Sequence, residues 1–113
     1  MLSVHLRTLA ANPRNLSALL GAGQAAIDVG DPNAALGFFS RADEVSPGNA
    51  RAKAGLASAL VLLEKPDEAL RVFGEAMSLG IAESEIVKDR ALAYDLRGDN
   101  RRAQRDYVVA MRR

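Results

Sequence analysis

Apolar residues recur along most of this chain at intervals of three and four positions, the spacing that places side chains on one face of an α-helix. In the middle of the chain, Leu56, Leu60 and Leu63 follow this spacing. The spacing stops at Lys65-Pro66-Asp67 and resumes a few residues later, at Ala69. Two helices joined by a short turn are therefore predicted for this part of the chain.

The same alternation of helix and turn predicts seven helices. The first lies within residues 1–15, and the others form three pairs, at about 16–29 and 32–45, 50–63 and 66–79, and 84–97 and 100–112. Asp31 and Asp99 stand where a helix N-cap is expected. Pro32 fits a first helical turn because its missing N–H would have no partner there, and Gly30 suits the end of the preceding helix.

The pattern repeats every 34 residues. Three sets of positions share this period, two of them small and one aromatic: Ala35, Ala69 and Ala103; Ala42, Ala76 and Ala110; and Phe39, Phe73 and Tyr107. Small residues allow helices to approach within about 8–10 Å of each other, and an aromatic ring fills the space between units. A helix pair that repeats in this way covers its apolar face only by stacking on its neighbours, which predicts a solenoid.

Composition limits the chemistry that such a chain can perform. Of its 113 residues, 49% are hydrophobic and 26% charged, the net charge is +1, and there is no cysteine and a single histidine. A disulfide framework and a Cys/His zinc site are therefore excluded. The longest nearly apolar run, residues 54–63, is too short to span a membrane, and the first residues lack the pattern of a signal peptide. The compartment stays open between the cytoplasm and, if a leader was removed, the periplasm or envelope.

This helix–turn–helix period, with its small and aromatic positions, resembles the tetratricopeptide repeat. The residues that carry the resemblance are Gly23, Gly30, Ala35, Phe39, Ala42 and Pro47 in the first unit, Leu56, Ala57, Ala69, Phe73 and Ala76 in the second, and Ala91, Tyr94, Gly98, Asp99, Ala103, Tyr107 and Ala110 in the third. The resemblance implies an all-α protein, a right-handed α-solenoid of stacked antiparallel helix pairs with about seven helices. Its units would be residues 16–49, 50–83 and 84–113, and residues 1–15 would be the second helix of a truncated preceding repeat.

In this register, both ends of the chain fall inside a unit. Met1 lies partway through a preceding repeat, and Arg113 lies short of the end of the third. The chain is therefore expected to be part of a larger protein, without the polar capping elements that solenoids need. Self-association through the uncapped ends, around Leu2, Leu6 and Tyr107, is expected as well.

The resemblance also implies a binding surface. In this family, the first helices of the units line a concave groove that binds a protein or peptide ligand. The groove residues carried over to this sequence are Leu20, Gln24, Ile27, Asp28, Arg51, Ser58, Val61, Leu62, Lys88, Leu92 and Asp95. Their apolar members suit an amphipathic helix or an extended peptide, although internal packing of some of them is an equal alternative.

One ligand type known for this family is not expected here. Chaperone adaptors of the family hold the C-terminal carboxylate of a peptide with cations, and two of those positions carry Glu85 and Asp89 in this sequence. Carboxylates at these positions would repel a terminal carboxylate.

Three other features have simpler structural explanations. Residues 21–26 fit the pattern G-x-G-x-x-A of a dinucleotide-binding turn, but they fall within a helix, so Gly23 is interpreted as a close packing position. His5 has no catalytic partner and is predicted to be an ordinary helix residue. Residues 97–113 hold six arginines against two aspartates, which we interpret as a solvated face or a junction rather than a nucleic-acid site.

These observations predict a protein–protein interaction scaffold within a larger bacterial protein. No catalytic residue, cofactor, metal ligand, nucleic-acid partner or membrane span is expected. The alternative function is a purely structural or oligomerising spacer whose groove stays empty. The Ala- and Gly-rich, Cys-free style is loosely similar to the repeat proteins of bacterial secretion and TadD-type pilus assembly.

Overall fold

The computed structural model of the protein describes residues 2–112. It contains seven α-helices: α1 (Leu2–Ala11), α2 (Leu16–Asp28), α3 (Pro32–Val45), α4 (Ala50–Leu62), α5 (Pro66–Ser78), α6 (Glu83–Arg97) and α7 (Asn100–Met111). No strand occurs within residues 2–112. The all-α prediction is confirmed, and the ends of the paired helices lie within one residue of the predicted ones. Met1 and Arg113, the outermost residues of the first and last predicted units, lie outside the described residues.

Side-chain caps explain where several helices begin. Asn15 accepts a hydrogen bond from the N–H of Ala18 at 2.9 Å, and Asn49, one period later, accepts one from Ala52 at 3.0 Å. Asp31 and Asp99 cap α3 and α7 in the same manner, as predicted. Each cap satisfies an N–H of the first turn that has no partner inside the helix. The repeated polar residues of the sequence therefore set the starts of four helices.

In each unit, the turn between the two helices contains one residue in the left-handed region of backbone conformation. The chain leaves α2, α4 and α6 through Gly30, Glu64 and Gly98, whose φ angles are 80°, 60° and 82°. Glycine adopts this conformation freely, whereas a Cβ crowds the backbone there. The second unit therefore carries strain at Glu64 that the first and third avoid.

We expect Glu64→Gly to raise the free energy of unfolding by about 0.5–1 kcal/mol, because relief of the left-handed strain exceeds the entropy that glycine loses on folding. Urea denaturation of the purified chain measures the change. Glu64→Ala is the matched control, since it removes the same carboxylate but keeps a Cβ. An equal gain for the alanine variant would show that the charge, and not the backbone, is responsible.

The helices stack in sequence order into a solenoid of helix pairs. Each helix packs against the next, α2 also contacts α4, and α4 contacts α6. The stack is elongated, with extents of 47 × 26 × 26 Å. Its core contains the residues that repeat every 34 positions: Ala35, Ala42, Ala69, Ala76, Ala103, Phe39 and Phe73 are buried. Tyr107 and Ala110, on the last helix, are half-buried.

Glycine allows one aromatic ring to sit between two helices. A Cβ at Gly23 of α2 or at Gly55 of α4 would overlap the ring of Phe39, which comes from α3. The ring is therefore held where both helices expose bare backbone. The interpretation of Gly23 as a close packing position is confirmed, and the G-x-G-x-x-A sequence lies inside α2.

The third unit replaces an apolar contact by a buried ion pair. Arg90 of α6 donates from Nε to Oδ2 of Asp106 at 2.8 Å and from Nη2 to Oδ1 at 3.0 Å. Asp106 on α7 is only 1% exposed, and Glu83 also accepts from Arg90, at 2.9 Å. The hydrogen bond to Asp106 raises the pKa of Arg90, against the opposing effect of burial. One period earlier, the two positions of this pair hold Leu56 and Val72.

Candidate functional site

Two clefts open on the face formed by α2, α4 and α6, here called the α2–α4–α6 face. The first cleft, of about 360 Å³, is lined by Leu20, Gly21, Gln24, Phe39, Arg51, Ala54, Gly55, Ser58, Ile81, Glu85, Ile86 and Asp89. Four of the predicted groove residues are among them: Leu20, Gln24, Arg51 and Ser58. They come from α2 and α4, and α6 supplies the carboxylates.

The shape of the first cleft follows from the small residues at one repeat position. Gly21 and Gly55 occupy this position in the first and second units, and Asp89 occupies it in the third. At Gly55 the missing side chain leaves room for the ring of Phe39, which forms part of the cleft wall. The aromatic wall and the carboxylate therefore lie in the same cleft.

Polar contacts join α4 and α6 across the first cleft. Ser58 Oγ donates a hydrogen bond to Oδ2 of Asp89 at 2.7 Å, and both residues are half-buried. At the rim, Arg51 Nη2 lies 3.4 Å from Glu85 Oε1, with both side chains largely exposed. A surface pair of this kind contributes little to stability, about 0–1 kcal/mol. The Ser58–Asp89 bond is the better shielded of the two connections.

The second cleft is more apolar and lies between the C-terminal halves of α4 and α6. It has about 570 Å³ and is lined by Val61, Leu62, Glu64, Leu92, Asp95 and Leu96. The predicted groove residues Val61, Leu62, Leu92 and Asp95 are brought together here. Leu62 is 47% exposed, whereas Val61 is almost fully buried. Asp95 accepts a hydrogen bond from the hydroxyl of Tyr107 at 3.0 Å, and burial together with this carboxylate raises the pKa of Tyr107.

Three predicted groove residues line neither cleft. Ile27 is half-buried and packs with the cluster that contains Phe39. Asp28 is exposed and accepts a hydrogen bond from the side-chain amide of Gln24 at 3.2 Å. Lys88 is exposed on α6. The sequence left open whether the apolar groove residues face a ligand or pack internally. Ile27 and Val61 pack internally, whereas Leu62 and Leu92 in the second cleft are exposed.

Several lining residues, Gly55 and Asp89 among them, and one packing residue lie outside the predicted set. Gly55 and Asp89 line the first cleft, and His5 packs against Gly21 in α2. A signal for His5 was present, since it stands 34 residues before Phe39 and so belongs to the aromatic series. It contacts Gly21 as Phe39 contacts Gly55, which makes it a packing residue of the repeat.

The described residues also bear on two other site types. Within residues 2–112, no three His, Asp or Glu side chains are grouped so that they could hold a metal ion. The helices of this same range are too short or too polar for any of them to cross a membrane.

Comparisons with known proteins agree with the fold described above. A family model described as tetratricopeptide repeat matches residues 26–79. Two crystal structures of MamA, each 24% identical, superpose with TM-scores of 0.78 and 0.76 over 97% of this chain and 64% and 60% of theirs. The NMR structure of the first TPR domain of human RPAP3 is 20% identical, with a TM-score of 0.73 over 89% of this chain and 80% of that one. No curated protein matches the sequence.

The solved structures share the fold of this chain, which spans about three-fifths of the length of the MamA chains. The comparisons support the repeat family but not the suggested link to TadD-type pilus assembly. Residues 26–79 thus match the tetratricopeptide repeat, and the described chain as a whole has the helix-pair solenoid fold typical of that family.

Proposed function

We propose that this chain is a protein–protein interaction scaffold that binds a peptide or a helical segment of a partner along the α2–α4–α6 face. The observation that carries the proposal is the second cleft, where Leu62, Leu92 and Leu96 are 38–47% exposed side by side. Neighbouring apolar side chains that stay exposed to water mark interaction surfaces. The tetratricopeptide-repeat fold supports this function, because the family resemblance implies ligand binding by the first helices.

The two clefts suit a segment that lies along the face. The first cleft is bounded by α2, α4 and α6, and the second by α4 and α6, so a single bound segment can reach both. The apolar stripe of an amphipathic helix, or alternate side chains of an extended peptide, would place leucine-like anchors on Leu62 and Leu92. Ser58 and Asp89 would then face the polar part of the segment.

We expect Leu62→Glu to weaken the binding of peptides from a random peptide array at least about tenfold. The substitution replaces the apolar contact between Leu62 and the peptide by a carboxylate that would have to lose its water on binding. Leu79→Glu is the matched control, since Leu79 is 43% exposed but lies outside both clefts, at the end of α5. Circular dichroism checks that both variants keep their helices. Equal loss in the two variants would contradict the proposed face, and an array without any bound peptide would favour the spacer alternative.

Further expectations stay predictions. These are a bacterial source, a longer parent protein, self-association through the ends, and the absence of enzymatic activity and of nucleic-acid binding. The basic residues 97–113 make the last of these directly measurable, since any affinity for RNA or DNA would fall steeply with added salt.

A further inference from the structure

We propose that the first cleft receives a basic side chain, arginine or lysine, from the partner segment. This inference rests on the proposed function, since the partner segment is the one that binds the α2–α4–α6 face. It concerns the chemistry that the cleft selects, which neither the family match nor the related structures specify. Three features of the cleft carry it: an available carboxylate, an apolar wall and the charge balance.

The available carboxylate is that of Asp89. Its Oδ2 accepts the hydrogen bond from Ser58, whereas the hydrogen bonds and ion pairs within residues 2–112 leave Oδ1 without a donor. Asp89 is half-buried and lines the first cleft, so its carboxylate is accessible from that cleft. A guanidinium or ammonium group is the strongest donor that a protein ligand can offer to this oxygen.

The wall of the cleft suits the stem of such a side chain. Leu20, Ala54 and Ile81 supply aliphatic surface, and Phe39 supplies an aromatic ring beside Gly55. The methylene groups of lysine or arginine pack along apolar surface while the charged end reaches a polar partner.

The charge balance favours a cation over an anion. Glu85 and Asp89 against Arg51 leave the lining with one net negative charge. Arg51 is paired with Glu85, and its side chain is 68% exposed at the rim, so an incoming anion would have to displace that pair and approach Asp89. An incoming cation meets the carboxylate of Asp89 without breaking either contact. A partner segment with a basic residue is therefore selected over one with an acidic residue.

The test uses small probes that do not depend on finding the partner. The ¹⁵N-labelled chain is titrated with N-acetyl-arginine amide and, separately, with N-acetyl-citrulline amide, which has nearly the same shape but no charge. We expect the arginine probe to shift the amide signals of Gly55, Ser58 and Asp89, and to bind about tenfold more tightly than the citrulline probe. Added salt should weaken the binding of the arginine probe and leave the binding of the citrulline probe unchanged.

Two variants complete the experiment. Asp89→Asn removes the charge but keeps an oxygen that accepts from Ser58, so it should abolish the preference for arginine without loss of structure. Glu68→Gln is the matched control, because Glu68 is exposed on α5 and lines neither cleft. Like Asp89→Asn, it removes one negative charge from the chain, but it should leave the preference for arginine intact.

The result that overturns the inference is equal binding of the two probes at these amides, or no shift there at up to about 20 mM probe, a concentration at which even millimolar affinity is visible. Either result would leave the proposed scaffold function standing if peptides bind the array and Leu62→Glu removes that binding. Concentration-dependent dimerisation of the chain that Asp89→Asn abolishes would identify a second copy as the occupant, and would overturn the assignment to a separate partner.

Discussion

Replacing Arg90 by leucine is expected to lower the free energy of unfolding by about 3–5 kcal/mol, because it leaves the carboxylate of Asp106 buried without its cation. Asp106 is 1% exposed and accepts two hydrogen bonds from the Arg90 guanidinium. Within residues 2–112, the only other cation paired with Asp106 is Arg105, whose Nε lies 3.9 Å from Oδ1 and whose side chain is largely exposed. Urea denaturation followed by circular dichroism measures the loss.

The repeat supplies the control for this prediction. Arg90→Leu combined with Asp106→Val gives the third unit the residues that the second unit carries one period earlier, Leu56 and Val72. We expect the double variant to lie within about 1 kcal/mol of the original chain or to exceed it in stability, because a well-packed apolar pair often equals a buried ion pair. The two single variants would then be strongly coupled. Additive losses in the double variant would contradict this account.

Phe73→Ala is expected to cost about 3–5 kcal/mol, since it removes a fully buried ring and leaves a cavity that the neighbouring helices cannot close completely. The ring lies in the cluster that joins α4, α5 and α6, with Ala57 and Ile86 among its members. The same denaturation experiment measures the effect. A loss below about 1 kcal/mol would show that the aromatic position does not hold adjacent units together.

Tyr107→Ala is the comparison at the same repeat position. Tyr107 is half-buried and donates its hydroxyl to Asp95, so its removal opens a smaller cavity. We expect a distinctly smaller loss than for Phe73→Ala. Equal losses would mean that the hydrogen bond, and not the burial of the ring, dominates at this position.

The helices could be predicted from the sequence because their signals are local. Asn15, Asn49, Asp31 and Asp99 act within three residues of themselves, and the spacing of apolar residues is a property of one helix. The 34-residue period also predicts which helix faces contact each other, since the alanines and aromatic residues at fixed positions must pack against the neighbouring unit.

The candidate site could be predicted only in part, because the exposure of a residue depends on the neighbouring helices. Val61 and Leu62 are adjacent in the sequence and both were assigned to the groove, yet one is 5% and the other 47% exposed. A rotation of about 100° per residue separates their side chains, and only the position of α6 decides which of them is covered. Ile27 was likewise assigned to the groove from its position in the repeat, but it packs with the cluster that contains Phe39.

By itself, the sequence determined the number and limits of the helices, the caps at Asp31 and Asp99, the repeat and the close packing at Gly23. The tertiary structure alone decided the partners of charged and polar side chains that lie far apart along the chain. Ser58 meets Asp89 over 31 residues, and Arg90 meets Asp106 over 16. The physical reason is that a cap or a helical face is formed within a few residues, whereas a carboxylate becomes a buried ion partner or an open acceptor only when another helix is placed beside it.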